Sequence, residues 1–281
     1  YENFNKLNFN LKFIHEKGIN INLKRISFKK LFFDKSENKL LQNYTYFIAR
    51  INNEVLLRKI IFFLYDTNFI DPEKSIIDIG CWKGDNTLVW SKFLQGEGIV
   101  YGIDPSQENL DFAKDIAHHN EIKNIEWIRA VCSDQMNQKL YFEGELTHAR
   151  FKLSNNRKEC IYSQTIDNLV KKNVGSIGFF HIDVEGFELN VIKGAKKTIE
   201  NSRPVIVFEQ HISSEDIFPL VTYLKKLDYE IFMINEVPKN CDLDCRNFIA
   251  INSNKKLLDF DMKIQKKWVS KATVGALLIK I

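Results

Sequence analysis

Nowhere does the chain of 281 residues carry an apolar run approaching the roughly 20 needed to cross a bilayer, so no membrane span is expected. No secretory signal pattern is visible, although the chain opens at Tyr1 and not Met, which leaves room for an upstream segment. Its five cysteines, at positions 81, 132, 160, 241 and 245, form no C-x-x-C pair. An odd, unpaired set points to reduced thiols and a cytoplasmic setting. Cys241 and Cys245 enclose Asp242 and Asp244 but lack the second pair or nearby His of a metal loop, so a plain loop is expected. Charge of one sign is scarce too: 40 basic and 36 acidic residues leave +4, too little to call for nucleic acid. No internal repeat or low-complexity tract stands out. What remains, 44% hydrophobic and 27% charged, suits a globular chain with one large core, or one core and a small cap.

The stretch from Lys74 to Pro105 organises the rest. Ser75 to Ile79 is a short apolar run that reads as a buried strand feeding a tight turn at Gly80. Gly84 and Asp85 open a helical pattern, with Asp85 as N-cap and Val89/Phe93 and Trp90/Leu94 paired at i, i+4. A second apolar run, Gly98 to Ile103, ends in Asp104-Pro105. Strand, glycine loop, helix, strand and acid make the first half of a nucleoside-binding α/β sheet. Glycines at 80 and 84 would let a ligand approach the backbone. Asp104, at the end of the second strand, stands where a carboxylate can accept both ribose hydroxyls. The loop reads D-x-G-x-x-x-G and lacks the middle glycine that admits a pyrophosphate. A nucleoside without phosphates fits it better, and S-adenosylmethionine (SAM) is the common one. NAD and an unliganded strand-turn-helix stay open as alternatives.

Residues 1–70 look like an accessory or cap segment, with a domain boundary at Asp71-Pro72. Alternation at Phe9, Leu11, Phe13 and at Ile19, Ile21, Leu23 predicts a hairpin. Ile48, Ile51 and Val55 predict a helix within 44–65. Such a segment could cover an active site or support dimerisation; most of its Lys and Asn residues read as a solvated face. Beyond the opening unit, Leu110, Ala113 and Ala117 form the next helical stripe. The strand from Ile125 then ends at Ala130-Val131, where an adenine usually lies. Residues 134–164, with Gly144 and Asn155-Asn156, predict loops and short hairpins.

A second informative stretch, Ile177 to Ile199, predicts a strand ending at His181-Ile182-Asp183. A helix follows from near Glu185, with Ile192, Ala195 and Ile199 inward. After Pro204 a strand from Val205 to Phe208 ends in Glu209-Gln210-His211. Strand period puts Glu209 with His211, and His181 with Asp183. A carboxylate and an imidazole aimed at one cleft make a general-base arrangement. The plainer alternative gives Asp183 and Glu185 to helix capping and leaves His211 at the surface. His181 by itself reads as structural, and His118-His119 as solvated. Glu215 to Leu227 is amphipathic, and Tyr229 to Asn235 and Asn247 to Asn252 read as a late antiparallel hairpin around Pro238. The tail beyond Lys255 is weakly patterned.

Taken in order, IDIGCWKGDNT, Asp104-Pro105, TIDNL (165–169), HIDVEGFELNVIKGA (181–195) and RPVIVFEQH (203–211) resemble the FkbM family of SAM-dependent methyltransferases over roughly 75–235. The D-V-E-G-F-E-x-x-V-I-x-G-A run is the most specific part. The resemblance implies a class I methyltransferase fold: a Rossmann-like, doubly wound, seven-stranded sheet with a terminal antiparallel hairpin. It also implies O-methylation of sugars or polyketide-type products, with S-adenosylhomocysteine as product. It puts Asp78, Gly80 and Gly84 around the methionine part of SAM and Asp104 on its ribose. Cys81, Trp82, Asn86, Thr87, Pro105, Ala130 and Val131 complete the cofactor set. His211, Asp183, Glu209 and Glu185 take the methyl-transfer end, with His211 or Asp183 as the base. The family usually has Ala-Asn where Cys81-Trp82 stand, and Lys at the position of His181. Carboxylates 183, 185 and 209 would suit a divalent metal, though the spacing does not require one. The expected partner is a small-molecule or nucleotide-linked sugar acceptor; a homo-oligomer is compatible, and nucleic acid is not expected. NAD-dependent oxidoreduction, RNA or natural-product methylation, and a non-catalytic partner role are the competing functions.

Overall fold

Apolar runs too short for helices become strands buried on both faces, the usual fate of parallel strands. A computed structural model describes residues 54–143, 150–152, 160–170, 176–212, 214, 217–236, 245–255 and 278–281. The hairpin expected over 9–23, residues 44–53 of the helix expected over 44–65, and the loops at 144, 155–156, 238 and 241–244 lie outside the described residues. The chain divides into two compact units, Tyr1–Arg129 and Ala130–Ile281.

In the first unit, helix α1 (Val55–Asp66) buries Leu57, Ile60, Ile61 and Leu64 completely, the stripe that i, i+3, i+4, i+7 spacing gives. It ends where Asn68 turns left-handed (φ 55°), ahead of Asp71-Pro72. Strands β1 (Ser75–Ile79) and β2 (Val100–Asp104) are buried throughout. They pair in parallel from Ile76↔Val100 to Ile79↔Ile103. β3 (Ile125–Arg129) joins β2 in parallel and is half exposed, as an outer strand should be. Between β1 and β2 the helix is shorter than its sequence pattern predicts: α2 spans only Thr87–Trp90, with Asn86 and not Asp85 at its N-cap. Tighter turns then carry the chain to Phe93, whose ring meets Trp90 at 5.6 Å and Tyr65 at 5.4 Å. Aromatic packing there takes over from helical hydrogen bonding. Helix α3 (Gln107–His119) starts at Ser106, whose hydroxyl accepts from the Asn109 amide, and buries Leu110, Ala113, Ile116 and Ala117.

The second unit opens with a small four-stranded sheet. Its strands are β4 (Val131–Cys132), β5 (Lys139–Glu143), β6 (Arg150–Lys152) and β7 (Cys160–Gln164), in the order β4-β7-β5-β6. Of the short hairpins expected over 134–164, the described residues hold the antiparallel pair β5–β6, and β5 also runs antiparallel to β7. After the short helix α4 (Ile166–Leu169), β8 (Ile177–Ile182) pairs in parallel with β9 (Val205–His211). The single helix expected from 185 to 199 is two, α5 (Glu188–Gly194) and α6 (Lys196–Ser202), interrupted at Ala195 (φ −106°). Val191, Ile192, Ala195 and Ile199 still form one buried stripe. Helix α7 (Ile217–Lys226) leads to β10 (Tyr229–Ile234), which runs antiparallel to β11 (Cys245–Asn252); β11 in turn runs antiparallel to β9. Phe208 and Phe248 stack at 5.3 Å across β9 and β11.

The protein is thus α/β with a large, mostly parallel sheet and a late antiparallel hairpin. Among the described residues its strands number eight where seven are expected, and the surplus is β12 (Leu278–Lys280), which pairs with β10. Three residues in a weakly patterned tail give no strand signal of their own.

TIDNL has a structural purpose in this unit. Thr165 caps α4, and Asp167 reaches the start of α6, which has no capping side chain of its own. The Asp167 carboxylate accepts from the amides of Lys197 (3.0 Å) and Thr198 (2.9 Å) and from the Thr198 hydroxyl (2.7 Å). Asp167→Ala should therefore lower stability by roughly 1–2 kcal/mol, the cost of a lost N-cap, read as a fall in unfolding midpoint.

Candidate active site

The turn after β1 passes through three left-handed residues: Gly80 (φ 77°), Trp82 (φ 46°) and Gly84 (φ 79°). Its amides are nearly all used within the protein. Gly80 and Cys81 donate to the Ile103 carbonyl at 2.9 and 3.0 Å, and Gly84 donates to Cys81 at 2.8 Å. Trp82 donates to Asp104 at 2.9 Å, which stabilises a conformation a tryptophan rarely adopts. Gly84 is glycine for packing reasons as well: a Cβ there would meet Trp127 at 2.9 Å and Ala113 at 3.0 Å. A Cβ at Gly102 would meet the same indole at 2.8 Å. The Trp127 ring thus backs two glycines, and at position 84 it fills, with Ala113, the space a side chain would take.

Asp104 ends β2 and is buried. Its oxygens accept from the amides of Trp82 and Ser106 (2.8 Å) and from the Asn109 side chain (3.2 Å). Burial outweighs these bonds and pushes the carboxyl up to about 6. Oδ2 receives the Trp82 bond only among these three, so it keeps capacity for a further donor. Asp78 is wholly buried and accepts from the Thr87 hydroxyl at 2.5 Å, which ties β1 to α2. Burial, reinforced by Asp104 and Asp78, raises the Cys81 thiol well above its ordinary value, so it is no thiolate at neutral pH. Pro105 is half-buried; its carbonyl accepts from Arg129 Nε at 3.1 Å.

Asp85 and Asn86 belong to a buried polar network with α1. Arg58 donates through Nε to Asn86 (2.8 Å) and pairs through Nη2 with Asp85 (3.4 Å), and Asn86 donates to Glu54 at 2.9 Å. All four residues are at most 5% exposed. A buried pair of this kind is costly to break from one side, so α1 and the glycine loop hold each other in place.

In the second unit, register gathers the chemistry-bearing side chains. The pairings His181↔Val207 and Glu209↔Asn247 place His181, Glu209, His211, Asn247 and Cys245 on one face at the carboxyl end of β8 and β9. Asp183 follows β8 directly and is half-buried, like Glu185, Glu209 and His211. Cys245, fully buried, donates its S–H to Glu209 at 2.7 Å. Ala130 and Val131 are buried at the start of this unit. Among the described residues no three His, Cys, Asp or Glu side chains form a metal-holding group. No described helix is long and apolar enough to cross a membrane.

Several residues carry this geometry without having been singled out from the sequence. Glu188, the second glutamate of D-V-E-G-F-E, is 2% exposed and holds the 184–186 turn. Gln210, between two residues that were noticed, bonds Glu188. Gly194 closes the same motif; a Cβ there would lie 2.0 Å from the Ser133 carbonyl oxygen. The motif's spacing was the available signal for Glu188 and Gly194. Arg58 and Trp127 left no local signal, and Cys245, expected in a plain loop, is instead the buried first residue of β11.

The first unit thus holds a glycine turn closed onto an acid-ended strand, and the second holds carboxylates and an imidazole at the ends of parallel strands, within one α/β fold class. A family profile described as "Methyltransferase FkbM domain" matches residues 78–231, more than half of the chain, and the chain belongs to that family. Among solved structures, the FkbM methyltransferase from Methylobacillus flagellatus KT is 18% identical with a TM-score of 0.49; the match covers 63% of this chain and 44% of that one. Fibrillarin from Aeropyrum pernix, solved with natively bound S-adenosyl-L-methionine, is 12% identical with a TM-score of 0.42, covering 65% and 68%. Precorrin-6y C5,15-methyltransferase from Geobacter metallireducens GS-15 is 11% identical with a TM-score of 0.42, covering 64% and 80%. No curated protein matches the sequence.

Proposed function

We propose that this chain is a SAM-dependent O-methyltransferase acting on a hydroxyl of a sugar, such as a nucleotide-linked sugar or a polysaccharide precursor. Family membership supports methyl transfer and, with it, SAM as donor. The observation that carries the donor side is the loop itself: the amides of Gly80, Cys81, Trp82 and Gly84 are bonded internally. A dinucleotide's pyrophosphate needs such amides as donors, whereas a nucleoside without phosphates does not. Asp104 keeps acceptor capacity for ribose hydroxyls, and Asp78, Asn86 and Thr87 brace the loop that would face the methionine part.

SAM supplies a methyl group already activated as a sulfonium. The protein's task is to align an acceptor oxygen with the S–CH3 bond and to take its proton. The oxygen lone pair forms the new C–O bond, the C–S pair leaves with sulfur as S-adenosylhomocysteine, and the proton passes to a base. His211 is the first choice of base and Asp183 the second, because imidazole is the side chain whose ordinary pKa lies nearest neutrality. Glu209, steadied by the Cys245 thiol, and Glu185 orient the base or hold neighbouring hydroxyls. Proton removal of this kind is worth roughly 10²–10⁴-fold. Residues 1–70 carry acceptor specificity on this reading; the bonds from Arg58 and Glu54 to the glycine loop favour a role for α1 beside the donor.

The test is incubation with methyl-labelled SAM and a panel of nucleotide-linked sugars, followed by location of the label by mass spectrometry. Label on a sugar oxygen is expected; label on nitrogen or carbon, or none on any sugar, overturns the acceptor class. The raised carboxyl of Asp104 adds a pH dependence. Ribose hydroxyls need the ionised acceptor, so S-adenosylhomocysteine affinity should rise as pH climbs through about 6 and weaken below it. Calorimetric titration across that range should show the transition in the native protein and lose it in Asp104→Asn.

A further inference from the structure

The loop from Asp183 to Phe187 holds two left-handed residues in succession, Glu185 (φ 52°) and Gly186 (φ 104°). A left-handed glutamate is strained by about 1–2 kcal/mol, so something must hold it. The holder is Glu188, the first residue of α5. Its Oε1 accepts from the amides of Val184 (3.3 Å) and Gly186 (3.2 Å), and its Oε2 accepts from Gln210 Nε2. Glu188 is 2% and Gln210 6% exposed, so the three bonds are sheltered from water. Gln210 lies on β9 between Glu209 and His211 and projects to the opposite face from both. One buried carboxylate therefore clamps the loop bearing Asp183 and Glu185 to the strand bearing Glu209 and His211.

We propose that Glu188 and Gln210 are positioning residues that fix the separation of the acceptor-side groups on this loop and strand. The inference rests on the methyl-transfer reading above, in that the held groups are those assigned to the acceptor. Neither residue touches the acceptor. Both act through Asp183 and His211, and a slip of about an ångström at such groups can cost on the order of a hundredfold in rate.

Gln210→Met tests this, since it keeps volume and removes only the crosslink. Hydrogen exchange of the 182–188 segment should speed up, with the unfolding midpoint and SAM affinity close to native. kcat for methyl transfer should fall about tenfold or more with KM for SAM little changed. Glu188→Gln, which still offers an oxygen to both amides and lets the Gln210 amide reverse to bond its nitrogen, should recover most of the rate. If exchange of 182–188 is unchanged in Gln210→Met, the clamp is absent and the proposal fails. If exchange rises while kcat stays native, the link is structural only, and the positioning role fails. If the native protein methylates no acceptor while exchange responds as expected, the clamp stands and the methyl-transfer reading falls instead.

Discussion

Replacing Gly194 by alanine should be among the most destabilising single-methyl changes available in this chain. The added Cβ would lie 2.0 Å from the Ser133 carbonyl oxygen and 2.9 Å from its carbon. Those atoms are backbone, so no side-chain rotation relieves the overlap, and α5 must move away from the 133–134 segment. Overpacking in a core typically costs about 1–3 kcal/mol, and a backbone obstacle belongs at or above the top of that range. For a chain of this size about 3 kcal/mol corresponds to a fall of roughly 6–12 °C in unfolding midpoint. Differential scanning calorimetry checks it. An unchanged midpoint would mean that α5 does not approach Ser133 as described. Nearby Asp134 bonds Asn190 on the same helix at 3.3 Å, so a shift of α5 should also disturb that contact.

His211→Ala should leave SAM binding intact and reduce kcat at least tenfold, within the roughly 10²–10⁴-fold range of a general base. His211 ends β9, half-buried and paired in register with Cys245, so truncation removes little core area. A loss of rate would therefore report on chemistry and not on folding. The comparison with Asp183→Asn assigns the role: the larger kcat loss, together with disappearance of the acidic limb of the pH profile, marks the base. Native kcat in His211→Ala removes it from that role. Should both variants retain native rates, proton removal by these two groups is wrong altogether.

Much of this was legible in the residues because the decisive elements announce themselves locally. β1, β2, β8 and β9 are short apolar runs ended by acids or glycine, and parallel strands buried on both faces must look that way. The turn at Gly80, the acid at 104 and the acid-and-imidazole ends of β8 and β9 followed from those strand ends. Long-range partnerships did not follow. Arg58 meets Asp85 at a sequence separation of 27, and no periodicity encodes such a pair. Trp127 on an outer strand gave no hint that its ring replaces side chains at Gly84 and Gly102. Asp85 looked like a helix cap because capping residues and salt-bridge partners share a composition; a tertiary ion pair took it instead. The break at Ala195 was hidden since the apolar stripe runs straight through it. Glu188 stood in the motif without a role of its own, and only its burial shows that the motif's second glutamate is the one that organises the turn.

The glycine loop gives the most direct test of all. Its amides at Gly80, Cys81, Trp82 and Gly84 are closed onto Ile103, Asp104 and Cys81, and the proposed function takes that turn as a cradle for a nucleoside and not for a pyrophosphate. Titration calorimetry of one protein sample with SAM and, separately, with NAD⁺ is the deciding measurement. Saturable binding of SAM with no heat from NAD⁺ is the predicted result; saturable binding of NAD⁺, or of neither ligand, would contradict it.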